Sequence, residues 1–357
     1  GDINGDGFAD LIVGAYRAVY NSGESYVVFG KADGFGTSLS LAALNGTNGF
    51  RLDGIDSGDY SGVSVSAGGD VNGDGFDDLI VGAPFAGYGA GESYVVFGRA
   101  GGFGATFSLG VLDGTDGFRL DGASNDKSGG SVSGAGDVNG VGFDDLIVGA
   151  VGTAFEGSYP AGESYVVLGF NTGAVTALGT GVVDTLIGTV GVDVIVGGQG
   201  GDTLIGGGGA DVLRGGEGAD VLDVADATFA RVDGGSGADT LRLSGDALVL
   251  DFTEVGDQRV TGIEAVNLSG TGAGVIFDTL SVLALSDTTN TLTLTGDATT
   301  SLKLVDSGWV LDAGDATTNT LTNGLAIITI DEGVTVSAAF ANAPATVDLA
   351  ALDGADR

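Results

Sequence analysis

The sequence predicts an all-β protein assembled from repeats, and three observations carry that expectation. Five aspartates, Asp184, Asp193, Asp202, Asp211 and Asp220, stand nine residues apart in a stretch that is otherwise mostly glycine and aliphatic residues. Residues 1–170 carry a second, longer period near 68 residues. The last third alternates threonine with leucine, as in Thr291-Leu292-Thr293-Leu294-Thr295, which is the pattern of half-buried strands.

The long repeat comes first. GDINGDGFADLIVGAY from Gly1, GDVNGDGFDDLIVGAP from Gly69 and GDVNGVGFDDLIVGAV from Gly136 align, and each is followed by an aromatic strand, SGESYVVFG, AGESYVVFG or AGESYVVLG. A segment shared by two copies, TNGFRLDG at 47–54 and TDGFRLDG at 115–122, supplies one more strand. About four short strands per unit describe a propeller blade, and the chain holds about two and a half such units. Each copy contains D-x-N-x-D-G-F-x-D or a relic of it. The oxygens are those of Asp2, Asn4, Asp6, the Phe8 carbonyl and Asp10, then Asp70, Asn72, Asp74, the Phe76 carbonyl and Asp78. Oxygens at alternate positions, with glycine after the third acid for a tight bend, suit a loop wrapped around one calcium ion. An EF-hand would need glutamate at loop position 12, where Val13 and Val81 stand. A dockerin-type module would continue into a helix, whereas DLIVGA is β-branched and reads as strand. In the third copy Val141 replaces the middle acid, leaving Asp137, Asn139 and Asp145 and predicting a weak or empty site.

With GAP at Gly82–Pro84 and FG at Phe97–Gly98, residues 1–170 resemble the FG-GAP repeats of integrin-α-type β-propellers. The resemblance implies calcium loops on hairpins away from the ligand-binding face, stiffening the blades. The opening inside a repeat predicts an excerpt of a longer protein with further blades before Gly1, the alternative being an open stack of blades with exposed edges.

After a linker expected at 171–180, the nine-residue units read DTLIGTVGV, DVIVGGQGG, DTLIGGGGA, DVLRGGEGA, and a detached copy, GGSGADTL, places Asp239 nineteen residues after Asp220. Each unit offers a short strand and a glycine-rich turn, so two units make one coil of a flattened parallel β-roll. Asp184, Asp202 and Asp220 then form one column and Asp193 and Asp211 the other, while Ile195, Leu204, Leu213 and Leu222 face inward. Neighbours in a column lie about 4.8 Å apart, where carboxylates repel by about 1 kcal/mol per pair even in bulk water. Glycine-rich turns are costly to order. Calcium, which takes 6–8 oxygen ligands at about 2.3–2.6 Å, converts that repulsion into coordination. Residues 181–245 resemble the repeats-in-toxin (RTX) family. The family's ligand role carries over to Asp193, Asp202, Asp211, Asp220 and Asp239. The turn at 188–193 lacks the second glycine, which predicts weak binding or a cap.

Residues 246–357 are expected to form a β-rich sandwich or a continuing solenoid. TGIEAVNLSGTG resembles a segment that follows RTX arrays in large bacterial surface proteins, and the cation-poor end suits an uncleaved export signal of type I secretion substrates. The chain has 12 basic and 48 acidic residues, a net charge of −36. That balance argues against nucleic acid and anionic membrane surfaces as partners and favours multivalent cations. No run of about 18 apolar residues predicts a transmembrane helix. Cysteine is absent, so metal is the available staple, and histidine is absent too. With neither imidazole nor thiolate, the chain is expected not to be an enzyme. The reading is an extracellular, calcium-binding bacterial protein that takes several Ca²⁺ ions and folds after type I secretion. A cell-surface or extracellular-matrix ligand is the partner that the resemblance implies. Two other classes fit the same repeats: export modules of a secreted hydrolase or toxin, and a calcium-ordered layer protein.

Overall fold

The computed structural model describes residues 1–31, 34–152, 162–256, 258–286, 289–312, 318–331, 334–339 and 346–348. Two compact units result, Gly1–Asn139 with Phe143–Thr172, and Gly140–Gly142 with Gly173–Arg357.

The first unit is a set of antiparallel blades. Strands β1 (Leu11–Ala15), β2 (Glu24–Val28) and β3 (Gly49–Asp53) form one blade. The second comprises β4 (Ser64–Gly69), β5 (Asp78–Ala83), β6 (Glu92–Val96) and β8 (Gly117–Asp121), and β7 (Thr106–Ser108) reaches back to pair in parallel with β3. A third blade holds β9 (Ser128–Gly136), β10 (Asp145–Ala150) and β11 (Glu163–Val167). The β-branched LIV run lies between two strands in the second and third blades and at the edge of the first. The glycine that follows it is required by the next blade's backbone: a Cβ on Gly14 would lie 2.2 Å from the Gly62 carbonyl oxygen, and one on Gly82 2.0 Å from that of Gly129. Apolar side chains fill the space between blades. Val27, Phe50, Leu52, Val81, Tyr94 and Val96 belong to one cluster, and Ile80, Val95, Val132 and Leu146 to the next.

The second unit is a parallel solenoid. Strands β12 (Ala177–Leu178), β14 (Val194–Gln199), β16 (Val212–Gly218), β18 (Arg231–Gly237) and β21 (Val260–Thr261) stack as one sheet. On the other face lie β13 (Thr185–Ile187), β15 (Thr203–Ile205), β17 (Val221–Val224), β19 (Thr240–Leu243), β22 (Ala265–Leu268), β24 (Thr291–Thr295) and β28 (Ala326–Asp331). That sheet ends in the antiparallel strands β27 (Thr318–Asn323) and β26 (Val310–Asp312). A further stack joins β20 (Val249–Asp251), β23 (Gly274–Phe277), β25 (Ser301–Ser307) and β29 (Thr335–Ala339) in parallel, closed by antiparallel β30 (Thr346–Asp348). In-register pairing sets Leu186, Leu204, Leu222, Leu241, Val266, Leu294 and Ile330 in single file. Ile195, Leu213, Val232 and Val260 form the facing file. From Ile195 onward the members of both files are buried, which makes them the core of the unit.

Two expectations need correction, and one open alternative is decided. The linker drawn at 171–180 is shorter, because Ala177–Leu178 already pairs with β14. Residue 245 is no boundary, since the sheet of β13 to β19 continues through β22, β24 and β28. The C-terminal region is accordingly the solenoid rather than the sandwich, with one short helix, α1 (Thr279–Leu285), capped by Asp278. The final residues of the expected export signal, 349–357, lie outside the described residues.

Candidate metal centres

In the first blade loop, Asp2 lies under its own chain. Its Oδ1 accepts the N–H of Gly5 at 2.7 Å and of Asp6 at 3.1 Å, and its Oδ2 that of Gly7 at 2.7 Å. Asn4 Oδ1 accepts from Asp6 N, and Asp6 Oδ1 from Phe8 N. Asp10 closes the loop by accepting the N–H of Ile3 and, from the end of β2, of Gly30. The second loop repeats this geometry with Asp70, Asn72, Asp74, Phe76 and Asp78. Hydrogen bonds thus link the predicted residues within each of these two loops, with Phe8 and Phe76 shown as N–H donors. Burial raises Asp2, raises Asp10 to about 7, and raises Asp78 with help from the charge of Asp70. These loops hold carboxylates in a setting that penalises their charge, which a divalent cation would offset. Among the described residues no three acidic side chains converge on one point. A cation here would therefore also need Asn4 or Asn72 and backbone carbonyls.

In the third loop Asp145 is again the closing acid. Asp145 accepts from Val138 N and Gly169 N, and Asn139 Nδ2 lies 3.4 Å from both of its oxygens. Val141, 40 % exposed, stands where the middle acid would be.

One pair of residues escaped the sequence reading. Asp77 Oδ2 accepts the N–H of Asp2 at 2.6 Å while the Asp2 carbonyl accepts the N–H of Asp77. Asp144 makes the same reciprocal clasp with Asp70. The second and third blades thus each grip the candidate loop of the blade before. The signal was present as the doublet FDD in copies two and three, against FAD in copy one.

In the roll, the aspartates form two columns. Asp184 N donates to Asp202 Oδ1 at 2.7 Å, Asp202 N to Asp220 Oδ1 at 2.6 Å, and Asp220 N to Asp239 Oδ1 at 2.8 Å. Asp193 N donates to Asp211 Oδ1 in the second column. The first column ends on Glu264, whose Oε2 accepts Asp239 N. The second oxygens differ along the column. Those of Asp202, Asp220 and Asp239 are buried and have no hydrogen-bond partner. Burial raises Asp202 and Asp211, and takes Asp220 to about 6 and Asp239 to about 7. A buried carboxylate oxygen with no donor is costly, and a hard cation is the fitting occupant. Glycine is obligatory where the turns stack: a Cβ on Gly218 would lie 1.6 Å from the Gly200 carbonyl oxygen.

The first turns are finished differently. Thr180 donates N–H and Oγ1–H to Asp184 Oδ2, and Thr189 does the same for Asp193 Oδ2. Those hydrogen bonds lower both acids, the hydroxyl leading at Asp184 and the N–H at Asp193. Threonine thus supplies donors where later turns offer an unsatisfied oxygen. At 188–193 this is the geometry of a cap, one of the two alternatives the missing glycine left open.

Comparison with known proteins assigns the same regions. The FG-GAP repeat model matches residues 1–28 and 61–96, and that of the RTX calcium-binding nonapeptide repeat, in four copies, matches residues 179–223. Over about 42% of this chain, integrin alpha-PS5 of Drosophila melanogaster is 34% identical and integrin alpha-V of Gallus gallus 35% identical. Integrin alpha-4 of Xenopus laevis is 30% identical over a similar span. The chain spans 13–14% of the length of these relatives. No helix among the described residues is long and apolar enough to cross a membrane. The chain carries FG-GAP repeats followed by RTX calcium-binding nonapeptide repeats, and is a calcium-binding repeat protein of extracellular type.

Proposed function

We propose that this is a secreted or surface-displayed bacterial protein that folds on meeting extracellular calcium after type I export and then acts in adhesion, without catalysis. The observation that carries the folding reading is the trio of buried, unpartnered carboxylate oxygens on Asp202, Asp220 and Asp239. With the cation absent, the column pays desolvation and repulsion together. With it present, Asp193, Asp202, Asp211, Asp220 and Asp239 would hold the ions together with turn carbonyls. The blade loops built on Asp2 and Asp70 would do so through their own acids and asparagines. A cation that binds only the folded form stabilises it by RT ln(1 + [L]/Kd) per site. For Kd of about 10⁻⁴–10⁻³ M and about 1 mM calcium, each site contributes about 0.4–1.4 kcal/mol. Several sites in one cooperative stack therefore make a switch out of individually weak binding. Adhesion is supported by the FG-GAP resemblance alone, and the lack of histidine and cysteine supports a role without catalysis. The test is far-UV circular dichroism of the intact chain at about 1 mM calcium and after EGTA. Loss of a large part of the β signal on chelation supports the switch. An unchanged spectrum refutes it.

A further inference from the structure

The three ESYVV strands are identical in sequence but not in surroundings. Strand β2 pairs with β3 and β6 with β8, in both cases setting the segment GFRLD antiparallel alongside. In β6 the register is Glu92 with Asp121, Tyr94 with Arg119 and Val96 with Gly117. Strand β11 pairs with β10 on one side, and no described strand lies along its other edge. The chain offers it no third GFRLD segment. The consequence shows in exposure: Tyr94 is 1% exposed whereas Tyr165 is 39%.

The vacancy has shape as well as edge. A hollow of about 330 Å³ lies beside β11, lined in part by Leu120, Val148, Tyr165 and Val167. The equivalent residues one repeat earlier, Leu52, Val81, Tyr94 and Val96, lie in a buried cluster with Phe107 and Leu109. Those two belong to the segment that precedes GFRLD in the second blade.

The vacancy has charge, too. Glu24 lies 3.5 Å from Arg51, and Glu92 lies 3.8 Å from Arg119. Glu163 accepts a hydrogen bond from the Tyr165 hydroxyl, which also lies 3.2 Å from Asp126. No described cation completes this acidic pair.

We propose that the free edge of β11 is a docking site for one extended strand of a partner polypeptide with the pattern aromatic–basic–aliphatic–acidic. The incoming strand adds antiparallel to β11. Its basic residue stands opposite Tyr165 and reaches Glu163, and apolar residues preceding that strand fill the hollow. The register of the second blade specifies all three placements.

The probe is a labelled synthetic peptide with the sequence of residues 106–122, titrated into the intact chain in calcium and followed by fluorescence anisotropy. Saturable one-to-one binding is expected. Replacing the peptide's arginine by alanine weakens it about five-fold, and a Glu163→Gln protein no longer distinguishes the two peptides. Because Glu163 is exposed, this variant leaves the fold intact. Two further peptides, N-methylated at alternating residues, separate edge pairing from apolar adsorption. Only one of the two sets of amides faces β11, so one peptide binds and the other does not. Absence of binding, or binding indifferent to both charge and methylation, overturns the proposal. So does sedimentation showing that the chain dimerises and that the peptide dissociates the dimer, because a second copy is then the occupant.

Discussion

Replacing Asp220 by asparagine is expected to act in opposite directions with and without calcium. Asp220 Oδ1 accepts the Asp202 N–H at 2.6 Å, a role the amide oxygen of asparagine can keep. Its Oδ2 is buried without a partner, and burial lifts the carboxyl from 3.8 to about 6. A folded-state value above the unfolded one means that ionisation works against the fold. The penalty is absent below about pH 4 and complete above about pH 6. Two pH units correspond to about 3 kcal/mol, which solvent screening reduces to about 1–2 kcal/mol. In EGTA at neutral pH the Asp220→Asn chain should therefore be more stable by that amount, and the gain should vanish at pH 4. In calcium the same change removes a ligand, lowering affinity by about ten-fold, or about 1.4 kcal/mol, for each ion that Oδ2 serves. Urea unfolding followed by circular dichroism, in EGTA and in calcium, measures both limbs. A loss of stability of equal size in both buffers would mean that Asp220 serves packing rather than metal, and the column argument would fail.

Other expectations follow from the same structure. Leu222→Ala opens the fully buried file of the roll and should cost about 2–5 kcal/mol in the calcium-loaded state, read by urea unfolding. Asp77→Ala leaves the Asp2 N–H without its acceptor, at a cost of about 1–3 kcal/mol; hydrogen exchange should quicken at Gly5 and Gly7 in the loop that Asp2 organises. Thr189→Val removes one donor from Asp193 Oδ2 and should destabilise the calcium-free chain by about 0.5–1.5 kcal/mol, read by urea unfolding in EGTA. Burial tends to raise Asp306, but hydrogen bonds from Thr279 and Trp309 outweigh it and hold the acid below its usual range. Its contribution is thus complete above the unfolded value near 3.8 and is lost as pH falls through the lower folded value. Trp309, the sole tryptophan, should report that loss by fluorescence under strong acid.

The legibility of the sequence follows from how rigid each period is. Nine residues per unit leave no freedom in the coil, so Asp184, Asp202 and Asp220 were bound to align, and Leu204 and Leu222 to pair. Beyond Leu241 the file continues through Val266, Leu294 and Ile330, but successive partners lie 25, 28 and 36 residues apart. A solenoid whose loops lengthen loses its period while keeping its sheet, which is why residue 245 read as a boundary. The blade loops were legible because their oxygens alternate within a few residues of one another. Asp77 and Asp144 were not, because their partners lie 75 and 74 residues away. Nor were Thr180 and Thr189, whose hydroxyls matter only once the turn places them on an aspartate. Glu264 stood in a segment that drew notice for its resemblance, yet its place at the foot of the column emerged only from the sheet register.

The aspartate column is polar in the sense that a row of arrows is polar. Every main-chain donor, from Asp184 to Asp239, points to an acceptor carried by the coil that follows it. Its two ends are therefore chemically unlike: the Asp239 end presents an amide, closed by the acid Glu264, and the Asp184 end presents a carboxylate, closed by the donors of Thr180. A coil added at either end makes the same bond, so the polarity decides which side chain can finish each end, an acceptor at one and a donor at the other.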